Sequence, residues 1–356
     1  MITEQLQFEI EKISQSRLHG LEEDSLQFGK VFTDHMFVAD FIDGQWTNMK
    51  ITPYKDLVLS PATSFIHYGQ SIFEGLKAHY GKNGDVFMFR PQANIARMKT
   101  SAIRMCMPPF PEDIFLDALK TLLSLDKAWM PKKDGSSMYI RPFMFGTDEF
   151  LGVKASDNYR FMIIMSPSGS YYKNPVKVKI ETHFTRAASG GTGSAKAAGN
   201  YAGSMYPAKL AAEEGYQQLI WTDGKYHRNI EESGTMNLMM VIDDVLVTPK
   251  LSNTILEGVT RNSILNIARD WGWKVEERTV SVEEVVEALE NGKLHEAFGV
   301  GTAATIAQIN TIGYEGKDYE LPAVADREFS NKISTYLEDY KRGRVEDKFN
   351  YLVKID

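Results

Sequence analysis

The chain has 356 residues, 43% of them hydrophobic and 24% charged, with a formal net charge of −7. This is an ordinary globular composition, long enough for two domains with sizeable buried cores. The acidic balance argues against nucleic acid as a general partner, and no apolar run is long enough to span a bilayer. A single cysteine, Cys106, excludes an internal disulfide and a cysteine-built metal site.

The opening, MITEQLQFEIEK, is acidic and has no apolar core, so it reads as neither a secretory signal nor a transit peptide and predicts a cytoplasmic protein. TSFIHYGQSIFEG (63–75) and GDVFMFRP (84–91) lead into a predicted helix over 92–107, whose pattern places Cys106 as a buried, inert thiol. A second helix is predicted over 111–129, with Phe115, Leu119 and Leu122 at core spacing. MYIRPFMFG (138–146) and YRFMIIMSP (159–167) read as strands, the second apolar enough to be buried. The polar, Gly/Pro/Ser-containing run 166–175 is the candidate linker.

Beyond it, a strand is predicted over 176–184, a helix over 204–214 closed by Gly215, and a strand over 216–224. TMNLMMVIDDVLVTP (235–249) reads as a hairpin about Asp243-Asp244. Helices follow over 259–271 and 281–290, the latter opened by a capping box from Ser281 to Glu284. Residues 295–309 read as one strand broken by two glycines, and 325–342 as a last helix. Strands and helices mixed in both halves predict an α/β (mixed α+β) fold of two domains.

The most unusual stretch is GGTGSAKAAGNYAGS (190–204), where Lys196 stands alone among small residues. It is not a P-loop, because Ala195 precedes the lysine and Ala197 follows it. Gly299-Val300-Gly301-Thr302-Ala303-Ala304 fits a relaxed dinucleotide pattern, but a β-branched strand follows it rather than a helix. An amine with small neighbours and no nearby carboxylate suits a Schiff base with a carbonyl compound or pyridoxal phosphate. A solvated Gly/Ala loop is the plainer alternative, and for this segment alone the stronger one.

Further residues shift that balance. In NIEESGTMN (229–237), Glu231 reads as a solvated strand entry, whereas Glu232 suits the ring nitrogen of a pyridoxal cofactor. Arg97, on the predicted helix, and Gly258-Val259-Thr260, ahead of another, suit a phosphate dianion; Gly301-Thr302 offers a second such turn.

Together these segments resemble the branched-chain amino acid aminotransferases of the type IV pyridoxal phosphate enzymes. The resemblance runs nearly end to end, through FGKVFTDHM (28–36), HYGQSIFEGLKA (67–78), FRPQANIARM (89–98), MYIRPFMFG, the lysine stretch, EESGTMNL (231–238), LEGVTRNSIL (256–265) and FGVGTAA (298–304). It implies a fold type IV architecture with a smaller N-terminal domain over 1–172, a linker over 173–178, a larger cofactor-binding domain over 179–356 and a cleft between them. It further implies that Lys196 is the Schiff-base lysine and proton carrier, that Tyr201 bonds the cofactor's phenolic oxygen and that Glu232 pairs with its pyridine nitrogen. Arg97, Val259, Thr260 and Thr302 would hold the phosphate, with Arg186 near it and Thr235 close to the cofactor.

Phe28, Tyr68, Phe73, Tyr139, Tyr171, Thr235 and Ala303 match the family's side-chain pocket and carboxylate-binding positions. Tyr68, Thr302 and Ala303 would bind the α-carboxylate, and Arg141 the distal carboxylate of glutamate. The implied reaction is reversible, ping-pong amine transfer between leucine, isoleucine or valine and 2-oxoglutarate, carried out by a homodimer without a metal. Mammalian members carry a redox-sensitive C-x-x-C after the GTA turn; here those positions are Ala304 and Ala307. D-amino acid aminotransferase, aminodeoxychorismate lyase and a non-enzymatic cofactor-binding protein are the alternatives, and the aromatic pocket positions favour the branched-chain enzyme.

Overall fold

The computed structural model describes residues 7–169 and 174–355. The chain divides into two units: the first contains residues 7–169, 197–199 and 338–355, the second 174–196 and 200–337.

The first unit contains, in order, β1 (Glu9–Ile10), β2 (His35–Ile42), β3 (Gln45–Pro53), α1 (Ser64–Tyr68), β4 (Ser71–Phe73), β5 (Leu76–Tyr80), β6 (Val86–Phe89), α2 (Pro91–Arg104), α3 (Glu112–Leu125), β7 (Ser137–Gly146) and β8 (Tyr159–Ser168). Its sheet runs β1-β3-β2-β8-β7-β5-β6 and is completed at the β6 edge by the last strand of the chain. α3 turns Ile114, Phe115, Ala118, Leu119 and Leu122 inward, the helical spacing read from the sequence. Phe115 meets Phe161 edge-on at 4.8 Å, and Phe110 stacks on Phe161 at 4.1 Å, so aromatic packing joins α3 to the sheet.

The second unit begins with β9 (Val176–Ile180) and continues through α4 (Ala198–Ala202), whose first two residues group with the first unit, and α5 (Met205–Glu213). It goes on with β10 (Gln218–Thr222), β11 (Ile230–Ser233), β12 (Met236–Ile242), β13 (Val245–Pro249), α6 (Val259–Asp270), β14 (Val275–Arg278) and α7 (Val282–Glu290). β15 (Leu294–Gly301), β16 (Thr305–Tyr314), β17 (Lys317–Glu320) and α8 (Phe329–Lys341) follow, and β18 (Leu352–Ile355) closes the sheet of the first unit against β6. The second sheet runs β11-β10-β9-β16-β15-β12-β13-β14, with β17 beside β16. Its core joins Val178, Ile180, Ile220, Leu238, Met240, Ala297 and Ile309 to Val282 and Val285 of α7.

Local chemistry explains several of these boundaries. Asp243 and Asp244 both take positive φ, 46° and 63°, as a two-residue hairpin turn requires. The Ser281 hydroxyl accepts the Glu284 N–H at 3.0 Å and starts α7.

Other boundaries differ from expectation. The single strand expected over 295–309 is two antiparallel strands, turned at residues 302–304, because Gly301 ends one ladder and Thr305 takes φ 61°. The helix expected to 107 ends at Arg104; Cys106 follows it with φ 55° and is exposed, not buried. The β2–β3 hairpin is not among the expected elements, although Asp43-Gly44, at φ 51° and 78°, is the two-residue turn that such a hairpin uses. The expected domain ranges also keep the chain after 179 in one body, whereas residues 338–355 return to the first unit. No helix among the described residues is long and apolar enough to cross a membrane.

Candidate active site

The glycine-rich stretch is a folded turn rather than a solvated loop. Asn200 donates to the carbonyls of Thr192 (2.8 Å) and Ala195 (2.9 Å) and accepts the Thr192 hydroxyl at 2.7 Å. Gly193 is required by close approach, since a Cβ there would lie 2.6 Å from the Ala187 Cβ and 2.7 Å from the Thr254 Cα. Within this turn the half-buried Lys196 amine donates to the Tyr201 hydroxyl at 2.6 Å.

The loop from β13 to α6 gathers the neighbouring groups. The Asn253 carbonyl accepts the Ser194 N–H (3.1 Å), while the Gly193 (3.2 Å) and Thr254 carbonyls accept from Arg186. The Leu256 N–H donates to Glu232 at 2.8 Å, and the loop ends at Gly258, from which α6 starts with Val259 and Thr260. Val259 and Thr260 are buried, at an end where the first backbone N–H groups have no partner within the helix.

Glu232, on β11, is 3% exposed. Its carboxylate accepts from Leu256 and from the Asn237 carboxamide (3.0 Å) and lies 3.0 Å from the Arg186 Nε. Burial pushes its pKa up, opposed by the Arg186 guanidinium, the Leu256 N–H and the Lys196 charge. Arg186, expected near the phosphate, pairs with Glu232. Glu231 is likewise no solvated strand entry: it is 8% exposed, accepts the Thr254 hydroxyl, and burial raises its pKa. Its sequence signal is the same as that of any paired acid before a turn, which is why the pattern misplaces it.

Sheet register aligns further expected residues. Glu232 stands opposite Asn237, and Asn237 opposite Val300. The exposed Thr235 in the β11–β12 turn and the half-buried Thr302 and Ala303 in the β15–β16 turn therefore share one end of the sheet.

In the first unit, Phe28 packs edge-on against Tyr139 at 4.6 Å. The Arg141 guanidinium sits 4.7 Å from the Phe73 ring centre and 5.3 Å from that of Tyr139, and donates to the Tyr139 hydroxyl at 2.8 Å. The Tyr68 hydroxyl donates to the Leu151 carbonyl. Tyr171 lies outside the described residues. Arg97, on α2, is gripped by Glu74: Nε to Oε1 is 2.7 Å and Nη2 to Oε2 3.0 Å. Glu74 is fully buried and also accepts from Asn94 at 2.8 Å. Sequence reasoning misses Glu74 and Asn94, because only the placement of α2 brings them together with Arg97. No group of three or more metal-ligating side chains occurs among the described residues.

The chain is similar to known aminotransferases. The family described as amino-transferase class IV matches residues 71–312. Branched-chain-amino-acid aminotransferase 2 of Bacillus subtilis (strain 168) is 43% identical over 336 residues, covering 93% of this chain and 93% of that protein. The crystal structure of a branched-chain aminotransferase from Thermoproteus uzoniensis with norvaline superposes with a TM-score of 0.75 at 24% identity, covering 90% of this chain and all of that one. The branched-chain amino acid aminotransferase from Thermobaculum terrenum in its PLP-bound holo-form superposes at 0.72 and 20% identity, over 91% and 98% of the two chains.

Proposed function

The chain belongs to the amino-transferase class IV family and, within it, to the branched-chain-amino-acid aminotransferases; from that premise we propose that it uses pyridoxal phosphate to move the amine of leucine, isoleucine or valine reversibly to 2-oxoglutarate. The observation that carries this reading is the Lys196–Tyr201 pair in the same unit as a buried, three-partner carboxylate at Glu232.

The donor set fits the cofactor: an amine for its aldehyde, a hydroxyl for its phenolic oxygen, a buried carboxylate for its ring N–H and a helix start for its phosphate. When bound, pyridoxal phosphate supplies a carrier for the amine and an electron-withdrawing ring that lowers the barrier to removing the α-proton. Lys196 takes that proton on Nζ and returns it, and the Tyr201 hydroxyl fixes where Nζ points. Glu232 would accept the ring N–H, with Arg186 opposing the protonation that burial favours. The Val259 and Thr260 N–H groups, the Thr260 hydroxyl and Thr302 hold the phosphate. Arg97 adds a cation, oriented by Glu74.

For the substrate, Phe28, Phe73 and Tyr139, with Tyr171, Thr235 and Ala303, supply an apolar wall for a branched side chain. Tyr68, Thr302 and Ala303 bind the α-carboxylate, while Arg141 reads the distal carboxylate of the second substrate. A homodimer belongs to the same reading: Phe150, Leu151 and Val153 are 49%, 61% and 86% exposed on one loop, an apolar surface that a second copy would cover. So does a cytoplasmic setting, since a chain with one cysteine makes no internal disulfide.

The test supplies the purified protein with pyridoxal phosphate, L-leucine and 2-oxoglutarate and follows glutamate together with the branched 2-oxo acid. Equimolar products, lost on Lys196→Ala, are expected. Full turnover by Lys196→Ala, or equal rates with D-leucine, would end the reading. Light scattering would show twice the chain mass for the homodimer.

A further inference from the structure

Asn237 lies at a junction that its place on an apolar strand does not announce. The Ser233-Gly234-Thr235 turn, with Gly234 at φ 56°, sets it directly across from Glu232. On its other side it pairs with Val300, two residues before Thr302. Its carboxamide nitrogen donates both to Glu232 Oε1 (3.0 Å) and to the Leu256 carbonyl (2.9 Å). Its carboxamide oxygen occupies the space of a missing side chain: a Cβ on Gly258 would lie 1.9 Å from it. The residue is 6% exposed. One amide thus touches the acid, the loop that bonds the same acid oxygen, and the glycine from which α6 starts.

We propose that Asn237 is a positioning residue that locks the ring-nitrogen acid and the phosphate-binding helix start into one register, so that both ends of the cofactor are set by a single side chain. The proposal rests on the cofactor assignment above. The physical case is one of geometry and charge together. A buried carboxylate needs donors to remain ionised, and Glu232 takes two of its three contacts from the Asn237–Leu256 pair. Leu256 donates to Glu232 through its N–H and accepts from Asn237 through its carbonyl, so losing the amide frees the acid and the loop at the same moment. Neither Asn200, which stitches the lysine turn, nor Thr254, which serves Glu231, joins these two ends.

The test is Asn237→Asp, which keeps the shape but replaces the donor by a second acid facing Glu232. The dissociation constant for pyridoxal phosphate, read from the absorbance of the bound cofactor, should rise about tenfold or more, the scale of a lost hydrogen bond to a buried charge. The acid limb of the kcat profile should move to higher pH, because an added carboxylate raises the pKa of Glu232, and kcat should fall more than KM for leucine changes. Gly258→Ala, whose new Cβ displaces the same amide, should reproduce the weaker cofactor binding and supplies the answer if Asn237→Asp fails to fold. Thr248→Val is the comparison: it removes another buried hydrogen bond of this sheet, to the Leu238 carbonyl, and should lower the melting temperature without changing cofactor affinity. Unchanged affinity and pH profile in Asn237→Asp, or in Gly258→Ala where only that variant folds, would overturn the proposal. Failure of the wild-type chain to bind pyridoxal phosphate would instead overturn the function itself.

Discussion

Two clusters, one in each unit, bury charge of opposite sign and resolve it in opposite ways. In the first, Lys77 and His79 alternate on β5 and are 9% and 3% exposed, near the buried Lys341 and Arg342. Burial, then the Lys341 charge, pushes Lys77 down to about 7, with Glu338 opposing. Burial likewise brings Lys341 to about 8 and holds His79, whose ring nitrogens have no hydrogen-bond partner, well below its usual value. The Arg342 guanidinium donates to the carbonyls of Tyr80, Lys133 and Ser136 and pairs with the Glu338 carboxylate. At the candidate site of the second unit Glu231 and Glu232 are buried side by side, burial raises both, and one guanidinium, Arg186, opposes it. Around the buried bases, burial and neighbouring cations weaken the hold on the proton; beside the two buried acids, the chain supplies a permanent cation.

The strongest way to break this contrast is Arg186→Met. Two buried acids then lack their cation, and breaking such a pair costs about 3 kcal/mol or more. Chemical denaturation should show that loss near neutral pH, and acidification should recover part of it as the acids protonate. A loss independent of pH would mean that the carbonyl bonds of Arg186 matter more than its charge.

Titrating the wild-type chain sharpens the same contrast. Acids with raised pKa values contribute stability that is present below their ordinary value of 4.5 and is lost as pH rises through the raised values. Bases held low do the reverse: the contribution of Lys77 is complete only above its ordinary 10.5 and is lost as pH falls toward about 7. As pH rises from about 7 toward 10.5, hydrogen-exchange protection should therefore rise in β5 and β6, whereas in β11 and β12 it should fall as pH rises above 4.5. Lys77→Met should flatten the first response and raise stability near neutral pH by about 1–2 kcal/mol, as replacing a buried charge by an apolar group often does.

Glu74→Gln moves the comparison to the ion pair that orients Arg97. Its cofactor dissociation constant should rise about tenfold, while the pH response of β5 stays as it was. The smallest effect is expected of Ser281→Ala, which removes the α7 cap and should cost about 1 kcal/mol at every pH. A slope with pH there would show that the stability of the second unit is not governed by its acids.

Features written in local chemistry were legible in the sequence. The Asp243-Asp244 hairpin, the Ser281 cap and the core spacing of α3 each depend on neighbours within a few residues. Features decided by distant chain were not. Leu76-Lys77-Ala78-His79-Tyr80 alternates like a half-solvated strand, yet its polar residues are buried by parts of the fold that the local pattern does not contain. Glu231 fails to read for the same reason, because Thr254 and Arg186 reach it from other segments. At the candidate site, residue type and motif order singled out Lys196, Tyr201 and Glu232. Asn237 and Glu74 were not, since their partners are fixed only by sheet register and by helix placement.

The pairing of β18 with β6 also bears on synthesis. Residues 86–89 leave the ribosome long before residues 352–355, so one sheet edge waits for nearly the whole chain to be translated. The unit begun first is thus finished last. Damage to β18 should appear as an open edge beside β6 in the first unit, and as a demand for chaperones during translation rather than as a fault in the lysine turn.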